Sequence, residues 1–110
     1  LAAWVNPDVF TAGMDGTAFA TLTTQVIGGF NDALELVYGI PQLGVTVVDI
    51  ESAFGMLDFD DSDGDGVPNN VETTCALTDM CPSKPTAGPN IHLNPRGYLA
   101  ASRVFLAALG

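Results

Sequence analysis

The sequence predicts an α/β fold built as a helix–strand–helix unit. Three observations carry this expectation: an amphipathic stretch from about Asp15 to Tyr38, a β-branched run at Val45–Ile50, and a capped helix start at Asn94-Pro95. One strand cannot form a sheet. The unit is therefore expected to be the C-terminal part of a larger layered domain, or a minimal remnant of one, occupying residues 1–110 as a single whole or partial domain.

Each element has a local cause. In the first stretch Phe19, Leu22, Val26, Phe30, Leu34 and Val37 recur three or four positions apart, which places them on one helical face. Asp15 is a suitable N-cap, and Gly39-Ile40-Pro41 ends the helix. Gly28 and Gly29 weaken it by about 1 kcal/mol each relative to alanine. Val45-Thr46-Val47-Val48-Asp49-Ile50 follows a glycine and reads as a buried parallel strand with Asp49 at its carboxyl end. Glu51–Leu57 is expected to be a short helical segment, and 73–93, with both cysteines, three prolines and His92, an irregular connection. Asn94 then caps a last helix with Pro95 in its first turn and Tyr98, Ala101, Phe105, Leu106 and Leu109 on its buried face. Residues 1–14, with Trp4, Val9 and Phe10 among Asn-Pro-Asp and glycine, read as mostly loop.

Composition narrows the function classes. Apolar residues make up 47% of the 110 and charged residues 15%, so the chain can bury a core and is not a disordered tail. Thirteen acids against three bases give a net charge of −10. Such a balance excludes a nucleic-acid footprint and charge-driven docking on anionic membranes. No signal peptide and no 18-residue apolar run is visible, so no transmembrane segment is expected. Leu1 in the place of Met points to a processed or truncated chain.

Five of the thirteen acids lie between Asp58 and Asp65. As a charge run this would be a solvated, self-repelling loop. Its spacing says more. With Asp61 as position 1, Asp63 and Asp65 stand at 3 and 5, Gly66 at 6, Val67 at 7, Asn69 at 9 and Glu72 at 12. Those are the diagnostic positions of a calcium loop of EF-hand type. A hard cation takes six to eight oxygens at roughly 2.3–2.6 Å. Alternate carboxylates of Asp61, Asp63 and Asp65 would converge, Val67 would offer its carbonyl, Asn69 would act directly or through water, and Glu72 would close the shell with both oxygens. Pro68 departs from the EF-hand norm, and the string resembles more closely the calcium repeats of thrombospondin type 3 and related bacterial modules. One unpaired loop at 58–72, with no good helix before it and no Met-rich groove, points to structural Ca2+ rather than a sensor. Cys75 and Cys81 follow at once. They are read as a disulfide, for which short-loop entropy gives about 2 to 3 kcal/mol, or alternatively as a pair of reduced structural thiols. With no four-ligand Cys/His cluster, structural zinc is not expected. A disulfide implies a secreted, extracellular or periplasmic protein.

His92 is the sole histidine, in Asn90-Ile91-His92-Leu93-Asn94-Pro95-Arg96-Gly97-Tyr98. A lone loop histidine is either a surface or hydrogen-bonded residue or a proton-transfer group. Ile91–Tyr98 resembles the C-terminal histidine block of the SGNH (GDSL-type) esterases and lipases. Phe30-Asn31-Asp32-Ala33-Leu34-Glu35-Leu36 with Gly44–Asp49 resembles that family's long helix and last sheet strand. The resemblance covers most of residues 18–109 and implies a flavodoxin-like three-layer fold with the calcium loop as an insertion. It further implies carboxylic-ester hydrolysis of a small ester or lipid, with His92 as general base to a serine. Gly29-Phe30-Asn31-Asp32 spells the family's Gly-x-Asn-Asp oxyanion motif, which would make Asn31 a donor to the oxyanion; the helical stripe running through it favours helix over loop. The family's aspartate three residues before the histidine is Pro89 here, and its Gly-Asp-Ser nucleophile block has no counterpart. The nucleophile would then belong to a missing N-terminal part of the same fold. The alternative is a non-catalytic, calcium-stabilised extracellular module with a structural His92.

Overall fold

The computed structural model describes residues 15–81 and 90–110. Four α-helices follow in order: α1 (Gly16–Tyr38), α2 (Ile50–Ala53), α3 (Asn69–Leu77) and α4 (Pro95–Leu109), with a single 3₁₀ turn at Pro41–Leu43. The described chain is mostly helical and has no strand and no sheet, which overturns the expected α/β, flavodoxin-like three-layer fold. One isolated antiparallel bridge, Thr78 with Leu93, is its only β pairing. The reason is non-local. Val45–Asp49 is β-branched and outside any helix, but no second strand lies beside it, and Val45 and Val47 stay 50% and 36% exposed. Strand propensity reflects fit to a half-buried pleated surface, and without that surface it produces no ladder.

α1 starts where the sequence indicates. The Asp15 carboxylate accepts from the Ala18 amide at 2.9 Å, and the helix ends as the Gly39 amide reaches the Glu35 carbonyl at 2.7 Å. Its body-facing side is small and polar. Ala20 and Gly28 are buried, and a Cβ at Gly28 would stand 3.0 Å from Glu51 Oε1 and 3.2 Å from Leu57 Cδ2. Gly28 is thus the point of close approach between α1 and the 51–57 segment. At Gly29, one residue on, a Cβ would meet nothing.

Asp49 does not end a strand. Its carboxylate caps α2 by accepting from the Ser52 amide at 2.8 Å, and the Ser52 hydroxyl and amide hold its carboxyl below the ordinary carboxylate value. α2 is a single turn, shorter than the expected 51–57 helix, and closes at Gly55 with φ +61°.

α3 occupies the end of the expected calcium loop, 69–72, and the first residues of the expected irregular connection, 73–77. Asn70, Val71 and Thr74 are its buried side, and it packs on α4, which also touches α2. The core of the described residues is small: Ala20, Phe54, Val71 and Cys81 are its buried apolar members, joined by Asn70, Thr74 and Asn94. No described helix is long and apolar enough to cross a membrane, as the sequence indicates.

Candidate metal centre and histidine loop

The acidic loop wraps on its own backbone. Asp61 Oδ1 accepts from the Gly64 amide at 2.7 Å and its Oδ2 from the Gly66 amide at 2.9 Å, while Asp63 accepts from Asp65 and Asp65 from Val67. Gly64 and Gly66 lie at φ +78° and +89°, the left-handed region that glycine enters without cost. This winding gathers the carboxylates: oxygens of Asp61, Asp63 and Asp65 lie within 4.8 Å of one another, all exposed. Glu72 sits in the first turn of α3. Its carboxyl is pushed up from 4.5, first by the charge of Asp63, then by desolvation, then by Asp65 and Asp61. The four carboxylates therefore share one field. Asp61 goes the other way, held below 3.8 chiefly by the Gly66 amide.

The donor set fits a hard divalent cation. The structure brings the three aspartates together and leaves Glu72 outside that cluster; with the Val67 carbonyl and a bidentate Glu72 the set would offer six oxygens, the lower bound for Ca2+. Asn69, expected at position 9, has another task. Its Oδ1 accepts from the Ser62 amide at 3.2 Å, and its Nδ2 donates to Asp58 Oδ2 at 3.0 Å and Ser62 Oγ at 2.8 Å. It is a strut across the loop.

The loop also starts α3. Pro68 stands at the N-cap and has no side-chain oxygen to offer, so the carbonyls of Asp60 and Asp58 accept the Asn69 and Asn70 amides at 2.8 and 3.0 Å. Asn70 Nδ2 reaches the Met56 carbonyl at 3.0 Å, while its buried Oδ1 has no partner. Cys75 and Cys81 form the disulfide, with Cα atoms 5.2 Å apart.

His92 belongs to the segment that lies back against Thr78 and Asp79. Its carbonyl accepts from the Asp79 amide at 3.0 Å and its amide donates to Asn90 Oδ1 at 2.9 Å. The imidazole is exposed, and among the described residues it meets no serine hydroxyl. The Ser102 hydroxyl donates to the Leu99 carbonyl, and Ser62 belongs to the Asn69 strut. Asn31 lies inside α1, and its amide donates to the Glu51 carboxylate. Asn31 borders two cavities. One, of 320 Å³, is lined by Glu35, Tyr38, Val48 and Ser52 among others, and the second, of 410 Å³, by Ile27, Met56 and Met80 among others; His92 borders neither.

The residues after His92 serve packing. Asn94 is 3% exposed, and every hydrogen-bonding atom of its side chain is used. Its Oδ1 caps α4 by accepting from the Arg96 and Gly97 amides at 2.9 and 3.1 Å. Its Nδ2 donates to the Ala76 and Thr78 carbonyls, and its own amide to Leu77, so one residue begins α4 and ends α3. A Cβ at Gly97 would collide with the Leu77 carbonyl oxygen. The cap was legible in the sequence; the amide's reach back to α3 carries no local signal. No family model matches the chain, and neither does any curated protein or solved structure.

Proposed function

We propose that this chain is a non-catalytic, calcium-stabilised helical module of an exported protein. The ion would be held by Asp61, Asp63, Asp65, Val67 and Glu72 and would brace the entry to α3. The observation that carries this reading is the convergence of three aspartates within 4.8 Å, with Glu72 pushed up by their charge, at the loop spacing calcium requires. The disulfide supports export, since such bonds persist in oxidising compartments. Asn94 and Gly97, two of the residues that resemble an esterase histidine block, are accounted for by the α3–α4 junction.

Calcium titration of the purified chain by calorimetry tests the proposal. Saturable heat and a raised melting temperature are expected, both reduced in Asp63→Asn. At a free concentration one hundred times the dissociation constant, binding to the folded state alone adds about 2.7 kcal/mol. No heat and no shift at millimolar calcium would remove the metal. Hydrolysis of a short-chain p-nitrophenyl ester, lost in His92→Ala, would restore the hydrolase reading.

A further inference from the structure

α1 is inside out. Its body-facing side holds Ala20, Thr24, Gly28 and Asn31, whereas its apolar side faces away from the rest of the described chain. That outer side follows a seven-residue repeat. Phe19, Val26 and Ala33 fall at one core position of the heptad and Leu22, Gly29 and Leu36 at the other, with Phe30 and Val37 flanking. Leu22 is 59% exposed, Val26 65%, Phe30 62%, Leu36 78% and Val37 53%. The seam carries no charge at its core positions, and the acids of the calcium loop belong to another part of the chain.

We propose that this seam is the interface of a two-fold homodimer, in which α1 pairs with α1 of a second copy. Several observations select a second copy as the occupant. A seven-residue repeat is the pattern of a seam between two helices that coil slightly around each other, and α1 of a second copy provides a helix with the same 23 residues. Two-fold pairing is self-complementary when the strip is uncharged, as this one is. Gly29, whose added Cβ would meet nothing within its own chain, and Ala33 one turn later leave mid-seam room for the helices to approach closely. The glycine that the monomer does not need is the one the dimer uses. If wholly covered, the five seam side chains named above would remove on the order of 500 Å² per copy, below the ~800 Å² per partner of a stable interface and suited to a reversible pairing.

Sedimentation equilibrium of the full chain across a concentration series decides it. A monomer–dimer equilibrium is expected. Leu22→Gln with Val26→Gln should raise the dissociation constant on the order of a hundredfold while leaving far-ultraviolet circular dichroism unchanged, because both side chains are solvent-facing in the single chain. Gly29→Leu, which fills the mid-seam gap without touching the single chain, should weaken the dimer as well. A monomer at 100-fold dilution steps up to the highest soluble concentration, open-ended higher oligomers, or a dimer insensitive to both variants would each overturn the proposal.

Discussion

Asn94 shows how much one side chain can do at a junction. It caps α4 with its oxygen and occupies the carbonyls of Ala76 in α3 and Thr78 just after it with its nitrogen, at 3% exposure. Asn94→Ala removes a cap worth ~1 kcal/mol and leaves buried carbonyls unpaired at ~1–3 kcal/mol more, so urea denaturation should show a loss of about 2–4 kcal/mol. Asn94→Asp keeps the cap but sets a carboxylate against those carbonyls, and should recover little of it. Gly97→Ala should destabilise too, since the Leu77 carbonyl occupies the space a Cβ needs. The loop carboxylates give a pH signature. Glu72, pushed above 4.5, contributes stability that is fully present below that value and is lost as pH rises through its raised pKa. Asp61, held below 3.8, contributes stability present above that value and lost as pH falls through its lowered pKa. Calcium-free melting temperatures should therefore decline as pH rises from 4.5 through the raised Glu72 pKa, and Glu72→Gln should reduce the decline. Saturating calcium should reverse it, because the ion stabilises the ionised form.

At the scale of elements, α3 is the dependent one. Its nine residues are too few for a helix to stand alone in water, and Asn-Asn-Val-Glu-Thr-Thr-Cys is rich in weak helix formers. Weak propensity leaves no local signal for this helix, and the cysteines and prolines that follow point to an irregular connection instead. The structure holds it from both ends: the carbonyls of Asp58 and Asp60 at its start, and Asn94 with the Cys75–Cys81 bridge at its end. Removing either support should unfold it. Cys75→Ala with Cys81→Ala should lower stability by about 2 kcal/mol from loop entropy alone, read by chemical denaturation. Calcium chelation should lower the melting temperature and raise amide exchange in α3 more than in the centre of α1. The contrast between the two helices is informative, since α1 has its own Asp15 cap and 23 residues of hydrogen bonding.

The described residues bury little for their number. Among the described residues only Ala20, Phe54, Val71 and Cys81 are buried apolar side chains, while both long helices keep large side chains in solvent. Small cores of this kind lean on covalent, metal or oligomeric support. A seam-disrupted monomer should accordingly unfold with a urea slope below ~1 kcal/mol/M, the low end for small domains. The unmodified chain should show a midpoint that rises with protein concentration, as a dimer requires.

Local chemistry determined much of this protein. The spacing of Asp61 through Glu72, the capping chemistry of Asp15 and Asn94, and the closeness of Cys75 to Cys81 were legible, because each involves groups a few residues apart. The Val45–Ile50 run misled for the opposite reason, and the Ile91–Tyr98 block could not by itself assign a role to His92. Whether a β-branched run becomes a strand depends on a neighbouring strand that no local pattern announces. Whether a histidine is a base depends on a hydroxyl brought from elsewhere in the chain. Tertiary structure alone decided that Gly28 is a packing contact and Gly29 is not, that Asn69 is a strut, and that the apolar stripe of α1 faces outward. Periodicity can say that a helix has an apolar side; only the packed chain says whether that side is covered.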